Sequence, residues 1–90
     1  MKKIVDDKLY DTETAKELFT IKAKYSEYTS ASFCKYETKY YQKKNGEYFV
    51  VYHRDYEPML LPAKKEEVLR AAEHNLSSDE YINAFGPRME

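Results

Sequence analysis

Apolar positions along the chain change period several times, and each change marks an element. Between Lys39 and Tyr52, two runs rich in aromatic and β-branched residues flank Asn45-Gly46. That pair is favoured in a type I′ turn, where both central residues need positive φ. The pattern predicts a hairpin over residues 38–53, and a two-residue turn sets its register. Lys43 then faces Tyr48, Gln42 faces Phe49, Tyr41 faces Val50, Tyr40 faces Val51 and Lys39 faces Tyr52. One face carries Tyr40, Phe49 and Val51, and the other carries Lys39, Tyr41, Lys43, Tyr48, Val50 and Tyr52.

The rest of the chain is read around that hairpin. Lys3 to Tyr10 forms two short strand halves about an Asp6-Asp7 turn, since Asp tolerates turn conformations. Asp11 to Phe19 predicts a short helix: Asp11 or Thr12 can accept from the first free N–H groups, Glu13 suits the dipole, and Ala15, Leu18 and Phe19 share one stripe. The period then drops to two, with Ile21, Ala23 and Tyr25 alternating with Lys22 and Lys24, so residues 20–25 read as a strand. Ser26 to Ser32 has no period and reads as a loop or a frayed strand end. Phe33 to Tyr36 leads into the hairpin, with Cys34 and Tyr36 on the Tyr40 face. Residues 52–58 form a polar loop, and Met59-Leu60-Leu61 is a brief strand ended by Pro62. A helix opens at Pro62 or Ala63 and runs through Asn75, with Val68, Leu69, Ala72 and Leu76 on one face. A last helix begins with the capping-box spacing Ser77 to Glu80 and stops at Gly86-Pro87, with a loose tail beyond. The expected fold class is α+β: a small antiparallel sheet built on the central hairpin, one short N-terminal helix and two C-terminal helices.

Ninety residues make one domain, residues 1–90, with a core too small to house a deep active site readily. Ten tyrosines and a 42% apolar content exclude a disordered chain, although 34% of residues are charged. Residues 1–54 hold 11 basic and 8 acidic residues (+3), and residues 55–90 hold 4 and 8 (−4). This asymmetry permits a basic sheet and an acidic helical end, but lacks the strongly basic balance of a dedicated DNA binder. The single Cys34 has no intramolecular disulfide partner, and neither a signal-peptide core nor an apolar run of about 20 residues is present. The expected location is the cytoplasm.

Candidate chemistry is sparse. Cys34, His53 and His74 lack metal-ligand spacing, and no cofactor is expected. A Cys34–His53 nucleophile pair is conceivable with His53 opposite Thr38, but a lone cysteine near a sheet is more often a small buried hydrophobe. His53-Arg54-Asp55 matches the kinase catalytic-loop tripeptide, in a chain too short for that fold. Asp6-Asp7 suits a turn and Glu66-Glu67 a first helical turn, better than either suits a cation. The expectation is therefore a non-enzyme. Its candidate partner-binding residues are Lys39, Tyr41, Lys43, Tyr48 and Tyr52, because tyrosines interleaved with lysines serve protein interfaces and stacked nucleic acid alike. The structural alternative is that helices cover the rings while the lysines snorkel at the edge.

Three blocks also carry a resemblance: Lys8-Leu9-Tyr10-Asp11-Thr12-Glu13-Thr14-Ala15-Lys16-Glu17-Leu18, Lys43-Lys44-Asn45-Gly46-Glu47-Tyr48-Phe49, and the Leu61-Pro62 helix start continuing to Asp79-Glu80-Tyr81-Ile82-Asn83-Ala84-Phe85-Gly86. Together they resemble small proteins or N-terminal domains encoded on phages, plasmids and integrative elements of low-GC Gram-positive bacteria, some of them anti-CRISPR proteins. Asp7 stands where those relatives usually have glycine, and the tryptophan common in their penultimate helix is missing. The resemblance implies a protein of the bacterial host cytoplasm that inhibits a defence system by binding it, the target being a CRISPR effector nuclease. The alternative is a small nucleic-acid-binding accessory or regulatory protein using the basic, tyrosine-rich sheet face.

Overall fold

The computed structural model describes residues 1–26, 33–53 and 58–87, those at 23–26 and 33–36 as backbone. The loop expected at 26–32 and the one at 52–58 therefore fall largely outside the described residues, as does the end of the tail. Six antiparallel strands are followed by two helices: β1 (Lys2–Val5), β2 (Lys8–Asp11), β3 (Lys16–Ser26), β4 (Phe33–Gln42), β5 (Tyr48–His53), β6 (Met59–Ala63), α1 (Lys65–Asn75) and α2 (Ser78–Phe85). β1 and β2 form a two-stranded hairpin, and β3-β4-β5-β6 form a four-stranded sheet in sequence order. The architecture is α+β in three layers: the β1–β2 hairpin on one face of the sheet and the helices on the other.

The opening hairpin forms where expected, with Asp6 and Asp7 both at positive φ (50° and 64°). Ile4 pairs with Leu9 and Lys3 with Tyr10. The helix expected over 11–19 is absent. Asp11 Oδ1 accepts from the Glu13 N–H at 2.9 Å and the Asp11 carbonyl accepts from the Ala15 N–H at 3.1 Å, so the chain makes one turn and enters β3 at Lys16. The capping chemistry at Asp11 is real but closes a turn. Two isolated helical turns carry the full nucleation cost, whereas residues 16–19 complete a ladder against the otherwise open edge of β4. Glu17 pairs with Tyr41 and Phe19 with Tyr40, so Leu18 is an extra residue in a β-bulge. The bulge changes the phase of β3, placing Phe19 and Ile21 on the helix side.

The central hairpin forms, but its register is one residue away from that of a type I′ turn. Gln42 faces Tyr48, Tyr41 faces Phe49, Tyr40 faces Val50, Lys39 faces Val51 and Thr38 faces Tyr52. The Gly46 N–H donates to the Lys43 carbonyl at 2.9 Å, and the Lys43 N–H donates to Glu47 O at 2.7 Å. The loop thus has three residues, and Gly46 alone takes the left-handed region at φ 93°. Asn45 stays at negative φ because its side chain closes the turn: Oδ1 accepts from the Glu47 N–H at 3.0 Å, and Nδ2 donates to Glu47 Oε1 at 2.8 Å.

Each face of the sheet now has its own core. On the hairpin side, Tyr41, Phe49, Val51 and Leu60 pack under Tyr10, with Val5 and Ala15 at the margin. Phe49 stacks on Tyr41 (centroids 5.0 Å apart, planes 7° apart) and meets Tyr10 edge-on at 5.6 Å. Such contacts are worth about 0.5–1.5 kcal/mol each beyond burial. On the helix side, Phe19, Val68, Ala72 and Ala84 form the centre, surrounded by Ile21, Tyr40, Tyr48, Ala63, Tyr81 and Phe85 among others. β6 runs through Pro62 to Ala63, beyond its expected end. Pro62 is tolerated because β6 is an edge strand. α1 starts at Lys65 and buries Val68 and Ala72. α2 has the expected capping box: Ser77 accepts from the Glu80 N–H while the Glu80 carboxylate accepts from the Ser77 N–H. The bond from the Ser77 N–H first, and the Ser77 hydroxyl beside the carboxylate second, hold the Glu80 carboxyl below its ordinary range.

Candidate functional site

The observed register decides which side chains share a surface. In antiparallel strands, directly opposed residues lie on the same face, so a one-residue shift separates pairs that a different turn would unite. Lys39, Tyr41 and Lys43 lie on the hairpin side, whereas Tyr48 and Tyr52 lie on the helix side. The single lysine–tyrosine face expected from a two-residue turn does not exist. Its members fall into two surfaces of different chemistry.

On the hairpin side, Tyr41 is 8% exposed and stacked on Phe49. Burial, and then the Glu17 carboxylate, push its hydroxyl pKa up. Lys43 is 17% exposed, donates to Glu47 Oε1 at 3.2 Å and sits 4.4 Å from the centre of the Tyr10 ring. Both are therefore committed to the fold. Glu47 also accepts from Lys8 at 2.7 Å and from Asn45, and these bonds, that to Lys8 first, pull its carboxyl down to about 2. The same contact raises Lys8. Lys39 is half-buried beside this core and lines an open cleft of about 630 Å³ with Tyr41, Val51, His53 and Pro58.

On the helix side, Tyr40 stacks on Phe19 at 4.5 Å. Burial raises its hydroxyl pKa, with Tyr52 and then Glu67 of α1 adding to the effect. Tyr48 packs at the edge of the helix-side core, opposite Ala63. Tyr52 is half-buried opposite Met59, and Val50 lies opposite Leu61. Met59 is 54% and Leu61 40% exposed, so the sheet beyond the helices shows an apolar strip flanked by tyrosine. Met59 and Leu61 were legible only as strand residues. Met59-Leu60-Leu61 is an unbroken apolar run in the sequence, so neither the burial of Leu60 between two exposed neighbours nor the depth to which the helices cover the sheet is visible there.

The remaining candidates stay apart. His53 pairs with Glu37, not Thr38, on the Lys39 side, while the register places Cys34, opposite Tyr25, on the Tyr40 side. The register therefore sets the two positions on opposite faces of the sheet. Glu66 and Glu67 occupy the first turn of α1, and His74 its last. No cluster of three metal-ligating side chains occurs among the described residues, and no helix among them is long and apolar enough to cross a membrane. No protein-family model matches the chain, nor does any curated protein or solved structure.

Proposed function

We propose that this protein is a non-enzymatic inhibitor, carried by a mobile element, that acts in the bacterial cytoplasm by binding a defence protein of the CRISPR-effector class. The surface assigned to that contact is the helix-side strip of Tyr48, Tyr52, Met59 and Leu61. The observation that carries the reading is the exposure of Met59 and Leu61 beside the two tyrosines, with the hairpin lysines on the other face. Tyrosine and methionine are enriched at protein interfaces and lysine is depleted, so this strip suits a protein better than a phosphate backbone. The three sequence blocks resembling mobile-element proteins support the class of partner. Lys39, Tyr41 and Lys43 drop out of this contact because they lie on the opposite face.

The test is capture of an effector nuclease from a Gram-positive lysate by the tagged protein, with and without nuclease treatment. Effector retained after nuclease, and lost in Leu61→Asp with the circular dichroism spectrum unchanged, is the expected result. Loss of every partner on nuclease treatment would overturn the protein-binding reading.

A further inference from the structure

The two edges of the four-stranded sheet, β3 and β6, end differently. The Lys43 N–H donates to Glu47 O, and hydrogen-bonded pairs alternate with non-bonded ones along an antiparallel ladder. Tyr41, Lys39 and Glu37 of β4 therefore bond to β5, so their β3 partners Glu17, Thr20 and Lys22 turn their N–H and C=O groups away from β4. The same alternation turns Leu60 and Pro62 of β6 outward. There Lys3 Nζ donates to the Leu60 carbonyl at 3.2 Å and Pro62 has no N–H to offer, so β6 is blunted against a further strand. Over residues 16–22 of β3 the outer edge holds no proline, and no described backbone group pairs with it.

That edge is complementary to itself. Antiparallel pairing with β3 of a second copy, about a two-fold axis through Thr20, opposes Thr20 to its own equivalent, Ile21 to Phe19 and Lys22 to Glu17. The bulged Leu18 is passed over, as it is against β4. Each opposed pair then lies on one face: Glu17, Thr20 and Lys22 on the hairpin side, Phe19 and Ile21 on the helix side. The axis repeats the Glu17–Lys22 ion pair and the Phe19–Ile21 apolar pair, and cross-strand pairs of both kinds stabilise a sheet. Half-buried Ile21 gains cover, and exposed Glu17 and Lys22 gain opposite charges. Lys22 already faces Glu37 on β4, so in the pair of copies it stands between carboxylates on both sides. Moving the axis onto Lys22 or onto Glu17 opposes like charges and forfeits the match.

We infer that this protein forms a two-fold symmetric dimer through the outer edge of β3, with Glu17 of each copy paired to Lys22 of the other in one continuous sheet. Because β6 is blunted, association closes at the dimer and does not run on as a filament. The dimer does not rest on the partner proposed above, since it uses an edge of the sheet and not the strip of Met59 and Leu61. The strand order β3-β4-β5-β6 in each copy sets that strip at both outer ends of the shared sheet, which makes its contact bivalent.

The experiment is sedimentation equilibrium of the full chain over a protein concentration series, with a species at twice the 10.7 kDa of one chain as the expected result. Thr20→Pro removes an outward N–H and leaves the bonded pairs Phe19–Tyr40 and Ile21–Thr38 in place, so it should give a monomer with an unchanged circular dichroism spectrum. Glu17→Lys and Lys22→Glu, each alone, oppose like charges at both ends of the interface and should weaken the dimer at least about tenfold. An equimolar mixture of those two variants should restore it, because every opposed pair in the mixed dimer then has opposite signs. Lys22→Glu also meets Glu37 within its own chain, a cost that the mixture shares and that therefore does not explain a rescue. Leu61→Asp should leave the dimer intact. A monomer at every concentration, or a dimer that survives Thr20→Pro, would overturn the assignment, and failure of the mixture to restore the dimer would overturn the register. Loss of the dimer in Leu61→Asp but not in the edge variants would overturn it in favour of self-association through the helix-side strip. Failure of the effector contact leaves the sedimentation result unchanged, so the two readings fail separately.

Discussion

The two faces of the four-stranded sheet are built from the same strands and end in different chemistry. The hairpin side is closed by large rings: Phe49, Val51 and Leu60 are sealed beneath Tyr10 and Tyr41, and Lys8, Lys43 and Asn45 converge on Glu47 at its rim. The helix side is closed by smaller groups, Val68, Ala72 and Ala84 against Phe19, and its tyrosines remain half-buried. Small helix residues let α1 and α2 approach closely over a limited area, leaving Met59 and Leu61 outside their cover. A closed aromatic core serves stability, whereas the partly covered apolar strip is the surface proposed above for recognition. One strand lines both, because adjacent residues point to opposite faces.

The contrast breaks most visibly if the two cores are truncated. Phe49→Ala removes a fully buried ring together with its stacked and edge-on partners and should cost about 3–5 kcal/mol in urea denaturation. Val68→Ala on the helix side should cost less, roughly 2 kcal/mol. Equal or inverted costs would show that the helix layer, not the hairpin, closes the main core.

A smaller effect tests the register that separates the faces. A Cβ at Gly46 meets nothing within 4 Å, so Gly46→Ala is opposed only by its φ of 93°. That conformation should cost about 1–2 kcal/mol for an L residue. Cross-strand NMR contacts between Tyr41 and Phe49 should persist in the variant. A neutral substitution accompanied by contacts between Tyr41 and Val50 would mean that the hairpin slips by one residue and that the two surfaces interconvert.

The smallest effect distinguishes the rims. Glu47 has its carboxyl at about 2 instead of its ordinary 4.5. Its contribution is therefore complete above pH 4.5 and is lost as pH falls through that window towards 2. Thermal midpoints of the wild type and Glu47→Gln should differ at pH 6, converge on acidification, and differ less at high salt because the cluster is open to solvent. A gap that persists unchanged at pH 2 would show that Glu47 acts through packing, not charge.

Elements whose signals are local were legible in the sequence. Asp6-Asp7 placed the first turn, Ser77 and Glu80 placed the start of α2, and Gly86 its end, because each depends on contacts within about four residues. The 38–53 hairpin was equally clear, and so was the exposure of Lys22 beside half-buried Ile21. Two features escaped for related reasons. Asp11 caps a turn with the same side-chain acceptor that would cap a helix, so its local chemistry does not distinguish them. Asn45-Gly46 fits both a two-residue and a three-residue loop, and the two differ by one position in register. The tyrosine–lysine surface read from the first register was a consequence of that choice.

The sequence by itself determined the α+β class of the fold, its strands and helices apart from residues 11–19 and the Pro62–Ala63 boundary between β6 and α1, the capped start and glycine end of α2, and the charge asymmetry. These follow from period, turn chemistry and composition, which act over a few residues. Only the tertiary structure decided that residues 16–19 join β3, that Tyr48 and Tyr52 face away from Lys39 and Lys43, and that Met59 and Leu61 stay uncovered. Those outcomes depend on which open strand edge finds a partner and on how two cores close over opposite faces of one sheet. Both are long-range packing choices, made among local conformations of nearly equal free energy.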